Sequence, residues 1–150
     1  MVSDRAGVET GGSQSLQAIR LRIPARPEYV ALCRLAMTGL AQVRSLEEDT
    51  VADLKLALTE AVSNSVRHAY ADDGGHVDIL YELGPDRVRV EVVDDGAGFD
   101  PDEKPSYEGD DLVEGGLGIA IIRTIADELE IDSRPGVRGS TLRFVKLLNR

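Results

Sequence analysis

The chain has 150 residues, 42% hydrophobic and 29% charged, the size and balance of one globular domain that buries its core without disulfide or metal staples. Its one cysteine, Cys33 beside Ala31, Leu32 and Leu35, excludes an internal disulfide and a multi-cysteine zinc site and reads as a small core residue. A formal net charge of −10 repels phosphate backbones, so no direct nucleic-acid partner is expected and basic protein surfaces are better candidates.

Residues 1–15 mix Gly, Ser, Thr and Gln without periodicity and are expected to form a flexible tail ahead of a single domain over 16–150. Met1 to Leu16 lacks the basic-then-apolar layout of a signal peptide. No apolar run approaches the ~20 residues that span a bilayer, so a cytoplasmic protein without membrane contact is expected. Ile19, Leu21 and Ile23 alternate with Arg20 and Arg22 in a strand that Pro24 ends. Pro27 suits the first turn of a helix, whose stripe of Val30, Leu32, Cys33, Leu35, Ala36, Met37 and Leu40 runs to about Val43.

A second helix starts near Leu46 to Asp49, where Glu47, Glu48 and Asp49 complement the positive end of the helix dipole. It runs to about Tyr70 and is broken by Gly74-Gly75. Strands over about His76 to Leu83 and Arg87 to Val93 flank the turn Gly84-Pro85-Asp86. The acidic segment Phe99 to Glu114 shows no returning strand and reads as a long loop. A third helix over about Gly116 to Leu129 follows, then strands over about Glu130 to Ser133 and Ser140 to Leu147. Strands in a meander with helices between them predict a two-layer α/β (α+β) sandwich, one mixed, largely antiparallel sheet with helices on one face.

Chemistry gathers at three places. On the second helix, Val51, Leu54, Leu58, Ala61, Val62 and Ser65 share the core arc, while Glu60 and Asn64 project together at its margin beside Ala57 and Ala61. A structural carboxylate–amide pair is one reading. The other gives Asn64 as a hard oxygen ligand for Mg²⁺ and Glu60 as a proton acceptor, with His68 a helix-end residue. Asp94-Asp95-Gly96-Ala97-Gly98 is either a hairpin turn or a strand-end carboxylate that accepts hydrogen bonds from an exocyclic purine amine, its two glycines leaving room for a flat ring. The loop after it would then be a lid. Gly115-Gly116-Leu117-Gly118 runs straight into the third helix and suits phosphates through close backbone approach and free N–H groups. Ordinary loop chemistry is the alternative there, and neither the P-loop nor the dinucleotide fingerprint is matched.

Together these motifs resemble the ATP-binding domain of the GHKL superfamily (gyrase, Hsp90, histidine kinases, MutL), the Bergerat fold. Glu60-Ala-Val-Ser-Asn64 resembles its N-box and Asp94-Asp95-Gly96-Ala97-Gly98 its Asp-x-Gly-x-Gly box. Gly116-Leu117-Gly118 is similar to its later glycine box, and Gly139-Ser140-Thr141 to its final Gly-x-Thr. The order holds over about Leu16 to Leu147. The wording TEAVSNSVRHAY most resembles the anti-sigma-factor serine kinases of bacterial partner-switching systems, small dimeric proteins that bind a sigma factor and use ATP to phosphorylate a serine of a STAS-type anti-anti-sigma antagonist.

The resemblance implies that Asp94 binds the adenine amine, that Gly96 and Gly98 line the base pocket and that Thr141 supports the adenine. It further implies that Asn64 holds Mg²⁺, that Gly116, Leu117 and Gly118 lie at the phosphates, and that Glu60 is the base toward the incoming serine hydroxyl. Lys104, the one cation amid the acidic residues of the lid, is the implied lid contact to the phosphates. Two other functions share the fold: a nucleotide-binding regulator without catalysis, and a detached histidine-kinase catalytic domain. The latter is disfavoured because His68 and His76 both lie inside the ATP domain.

Overall fold

Every second residue of His76–Leu83 and of Arg87–Asp94 is buried, and this period-two alternation builds the centre of the molecule. The computed structural model describes residues 17–70, 74–102, 106–108, 111–113 and 117–148. Its elements are strand β1 (Gln17–Pro24), helix α1 (Val30–Arg44), helix α2 (Glu48–Tyr70), strands β2 (His76–Leu83) and β3 (Arg87–Asp94), the short strands β4 (Ser106–Glu108) and β5 (Asp111–Val113), helix α3 (Leu117–Ile125), and strands β6 (Glu128–Asp132) and β7 (Ser140–Leu147). Five strands form one sheet in the order β1-β2-β3-β7-β6. All four pairings are antiparallel, so the sheet is not mixed as expected from sequence, though the two-layer α+β architecture is the expected one.

The buried row of the sheet packs under the helices. Leu54, Leu58, Ala61 and Val62 of α2 join Val90, Val92, Leu142 and Phe144 in one apolar cluster, and each large side chain fully buried there contributes about 1.5–3 kcal/mol. Under α1, the Tyr81 hydroxyl donates to the Cys33 carbonyl at 2.9 Å, which satisfies the one polar atom of a fully buried ring. Burial pushes the Cys33 thiol up to about 11, so this cysteine is an inert core residue. On the open sheet face, charges pair across strands: Arg22 with Asp78 at 2.8 Å, Arg89 with Glu82, and Arg143 with both Glu91 and Glu130 at 3.1 Å.

Three features depart most from the sequence reading. Pro27–Tyr29 is a 3-10 turn leading into α1, because Pro27 fixes φ but leaves the first turn without a side-chain cap. Helix α3 ends at Ile125 rather than near Leu129. There Lys146 Nζ caps the Ile125 carbonyl at 3.0 Å while pairing with Asp53, and Asp127 N–H turns to the Val145 carbonyl at 2.8 Å. From Glu128 the chain is pulled into register with β7, tertiary pairing overriding local helical preference. Finally, the acidic segment holds a hairpin, β4 with β5, where no strand was expected.

Candidate functional site

Helix α2 sets one wall of the site. Glu60 is half-buried on it and Asn64, one turn further, is buried. Gly118, in the first turn of α3, sits against Glu60: a Cβ there would stand 2.9 Å from Glu60 Oε1. The missing side chain therefore lets the start of α3, the end of a helix that favours negative charge, close onto the carboxylate. Asn64 Oδ1 accepts a hydrogen bond from Arg67 Nη2 at 3.2 Å. Asn64 Nδ2 is buried with no hydrogen-bond partner among the described residues. Leaving such a group unpaired costs about 1–3 kcal/mol, and a bound ligand that engages this amide removes that cost.

Strand β3 sets the second wall. Asp94 ends its buried row, 4% exposed, a carboxylate where the apolar series Val88, Val90, Val92 would place another valine. Its Oδ1 accepts the Gly96 N–H at 2.8 Å and its Oδ2 the Ser140 hydroxyl at 2.9 Å. The loop after it is threaded through tight space. At Gly96 a Cβ would lie 2.4 Å from the His68 carbonyl oxygen, and at Gly98 (φ +83°) 2.0 Å from that of Arg134. Only glycine fits at either position. Gly139 N–H closes the arrangement by donating to the Gly96 carbonyl at 2.7 Å.

His68 links the two walls. Its Nδ1 lies 2.9 Å from the Asn64 carbonyl, so it is the donor and the neutral tautomer is fixed. Its ring stacks on Phe99 with centroids 4.7 Å apart and planes 11° from parallel. Burial lowers its pKa from the usual 6.5, against the opposing pull of Asp94. Phe99 is also held through its N–H, which donates to Ser133 Oγ at 2.9 Å.

The residues singled out from sequence thus fall into two clusters, Glu60, Asn64 and Gly118 at one end and Asp94, Gly96 and Gly98 at the other, joined by His68. Leu117 opens α3 and is exposed. Lys104 and Gly116 lie outside the described residues. Thr141 stands opposite Val93 in the sheet register, on the face away from α2, and lines with Val93, Asp94 and Ser140 a cavity of about 490 Å³ at this end of the sheet. The hydroxyl on Asp94 is that of Ser140, a residue the sequence reading passed over. Its place was legible in the alternation Ser140, Leu142, Phe144, which faces the helices.

The donor set fits Mg²⁺ of one particular kind. Among the described residues there is no group of three or more acidic, His or Cys side chains able to cage a metal, and Asn64 Oδ1 with the nearby Glu60 supplies few oxygens. Mg²⁺ held partly by waters and substrate phosphates asks for no more than that.

A known family model for the histidine kinase-like ATPase domain matches residues 23–146. The chain belongs to that family of ATP-binding domains. Within it, the curated relatives carry a more specific name, Serine-protein kinase RsbW: that of Bacillus velezensis is 40% identical over 91% of this chain and 89% of the relative, that of Bacillus subtilis 39% identical over 87% and 86%, and that of Staphylococcus epidermidis 34% identical over 85% and 87%. Among solved structures, the RsbU and RsbW domains of a Mycobacterium tuberculosis protein superpose with a TM-score of 0.66 at 20% identity, over 89% of this chain and 32% of that one. The SiaB–SiaC complex of Pseudomonas aeruginosa gives 0.62 at 14% identity, over 94% and 96%. These two show the shared fold.

Proposed function

We propose that this chain is an anti-sigma factor and ATP-dependent serine kinase that acts in the cytoplasm as a homodimer, sequestering a sigma factor and phosphorylating a serine of a STAS-type anti-anti-sigma antagonist. Serine kinase activity is the shared name of its near-full-length relatives. The observation that carries the proposal is the placement of the Glu60 carboxylate against Gly118 at the start of α3, with Asn64 beside it and Asp94 at the other wall.

Each residue then has one task. Asp94, held by Gly96 N–H and the Ser140 hydroxyl, keeps lone pairs for the adenine amine. The start of α3 and Gly118 receive the phosphates. Asn64 offers its oxygen to Mg²⁺, which when bound neutralises phosphate charge. Glu60 takes the proton of the serine hydroxyl as its oxygen bonds to the γ-phosphorus and the bond from that phosphorus to the ADP oxygen breaks. Positioning and charge neutralisation supply most of what phosphoryl transfer needs.

Transfer of label from γ-labelled MgATP into proteins of the native extract tests the proposal. Acid-stable, base-labile label on a small protein is expected. Acid-labile label would point instead to phosphohistidine, and absence of label with ATP binding intact to a regulator without catalysis.

A further inference from the structure

Asn64 Oδ1, the oxygen offered to Mg²⁺ in the reading above, already carries a cation in this structure. The guanidinium of Arg67, three residues further along α2, donates to it through Nη2 at 3.2 Å. Arg67 itself is exposed, whereas the residue it holds is 6% exposed. Its place in the last turn of α2 gives it an ordinary task, because a positive charge there complements the helix dipole. That task asks for no contact with Asn64, and a side chain turned to solvent would serve it as well.

We propose that Arg67 is a place-holding cation: it occupies the Asn64 oxygen until nucleotide arrives, yields that oxygen to the Mg²⁺ that accompanies ATP, and turns its guanidinium to the phosphates. The proposal rests on the role given to Asn64 above and adds a residue to which that reading assigns no task. Arg67 and Mg²⁺ are two cations addressed to one oxygen. Both seek its lone pairs, and at contact separation they repel unless an anion lies between them. The phosphates of ATP are such an anion.

The geometry suits this exchange. Residues three apart on a helix are surface neighbours, so the guanidinium can leave Asn64 Oδ1 for a phosphate held beside it by rotation about its own side-chain bonds. An exposed side chain makes such changes within nanoseconds. The guanidinium fork then matches two phosphate oxygens at once, which an ammonium does not. Two consequences follow for binding. Metal is favoured at Asn64 only together with phosphate, since without that negative charge it would have to displace a guanidinium. ATP without metal still meets a cation at this wall of the site, one carried on a rigid helix rather than on the lid.

Calorimetric titration of the full chain with ATP, once in EDTA and once in excess Mg²⁺, tests the proposal. In EDTA, Arg67→Gln is expected to bind ATP about 10- to 100-fold more weakly than the parent, the loss of a charge-assisted contact. With Mg²⁺, the lost phosphate contact and the lost competition at Asn64 oppose one another, so variant and parent are expected to agree within about threefold. Mg²⁺ therefore strengthens ATP binding more in the variant than in the parent. Equal losses with and without metal overturn the proposal, because a helix-end charge or a damaged fold would weaken both alike, and so does an unchanged affinity in EDTA. Arg67→Lys keeps the charge without the fork and is expected to recover part of the metal-free affinity; recovery of none would mean that the cation is not what acts, which also overturns it. A parent that binds no ATP in either condition overturns the nucleotide reading and this one with it, whereas a parent that binds ATP beside a variant with equal losses overturns this one alone.

Discussion

The Ser140 hydroxyl donates to Asp94 Oδ2 at 2.9 Å, tying the first residue of β7 to the last residue of β3. The bond orients a buried carboxylate whose other oxygen is fixed by the Gly96 N–H, so in the proposed role both residues shape the surface that Asp94 offers to a purine amine. Ser140→Ala removes one donor and leaves the charge in place. ATP affinity is expected to fall about 3- to 10-fold, and stability by about 1 kcal/mol. Asp94→Asn replaces an acceptor-only group by one that turns an N–H toward the amine, and affinity is expected to fall about 10- to 100-fold. Calorimetric titration with MgATP measures both, and Thr141→Ala, on the other face of β7, is expected to lose less than Ser140→Ala.

Glu60 lies at the phosphate end of the proposed site, against Gly118. Glu60→Gln keeps size and hydrogen-bonding capacity while removing the proton acceptor. Phosphotransfer is expected to drop by about 100-fold or more with MgATP affinity within about twofold of the parent. Single-turnover transfer to the serine acceptor, run beside the binding titration, separates the two. An equal loss in both would make Glu60 a binding residue.

The contrast between Ser140 and Thr141 indicates what the sequence makes legible. Strong alternation in Val77–Leu83 and Val88–Val92, and the apolar arc of α2, determined the central strands, the long helix and the placement of Glu60, Asn64 and Asp94. A three-residue motif at a strand start carries no face of its own. A slip of one residue turns every side chain over, and only the register Asp94 opposite Ser140 decides which hydroxyl meets the carboxylate. The end of α3 was hidden for a related reason: Glu128 and Leu129 are acceptable in a helix, and what makes them a strand is β7, distant in sequence. His68 does lie in the last turn of α2, but its stacking on Phe99, 31 positions away, is beyond the reach of any local pattern.

Gly96 has negative φ and an open-looking sequence context, yet its Cα lies against the end of α2. A methyl there would stand 2.4 Å from the His68 carbonyl oxygen and 2.9 Å from the Ala69 nitrogen, and helix backbone cannot yield as a side chain does. Gly96→Ala is expected to cost about 1–3 kcal/mol and to move the Asp94 loop, lowering ATP affinity as well as the melting temperature. Gly136→Ala is the comparison: its Cβ would meet nothing within 4 Å, so it bears only the strain of its positive φ and is expected to destabilise without touching ATP affinity. Thermal melts with and without MgATP distinguish the two.

His68 makes stability depend on pH with a definite sign. Its pKa in the fold is lowered from 6.5 by burial, so between those two values the unfolded chain binds the proton and the folded chain does not. Stability therefore rises with pH through this window: the contribution of neutral His68 is complete above about pH 6.5 and is lost progressively as pH falls toward the folded value. The groups acting on the ring are Asp94, which raises its pKa, and Arg67, which lowers it. His68→Gln removes the titration but keeps a side chain able to donate to the Asn64 carbonyl. Its melting temperature is expected to fall less than that of the parent between pH 7.5 and pH 5.5, and parallel losses in the two proteins would mean that another group governs the acid limb. Asp94→Asn removes the charge that opposes burial, so His68 in that variant should titrate at lower pH still, which the imidazole proton resonances report directly.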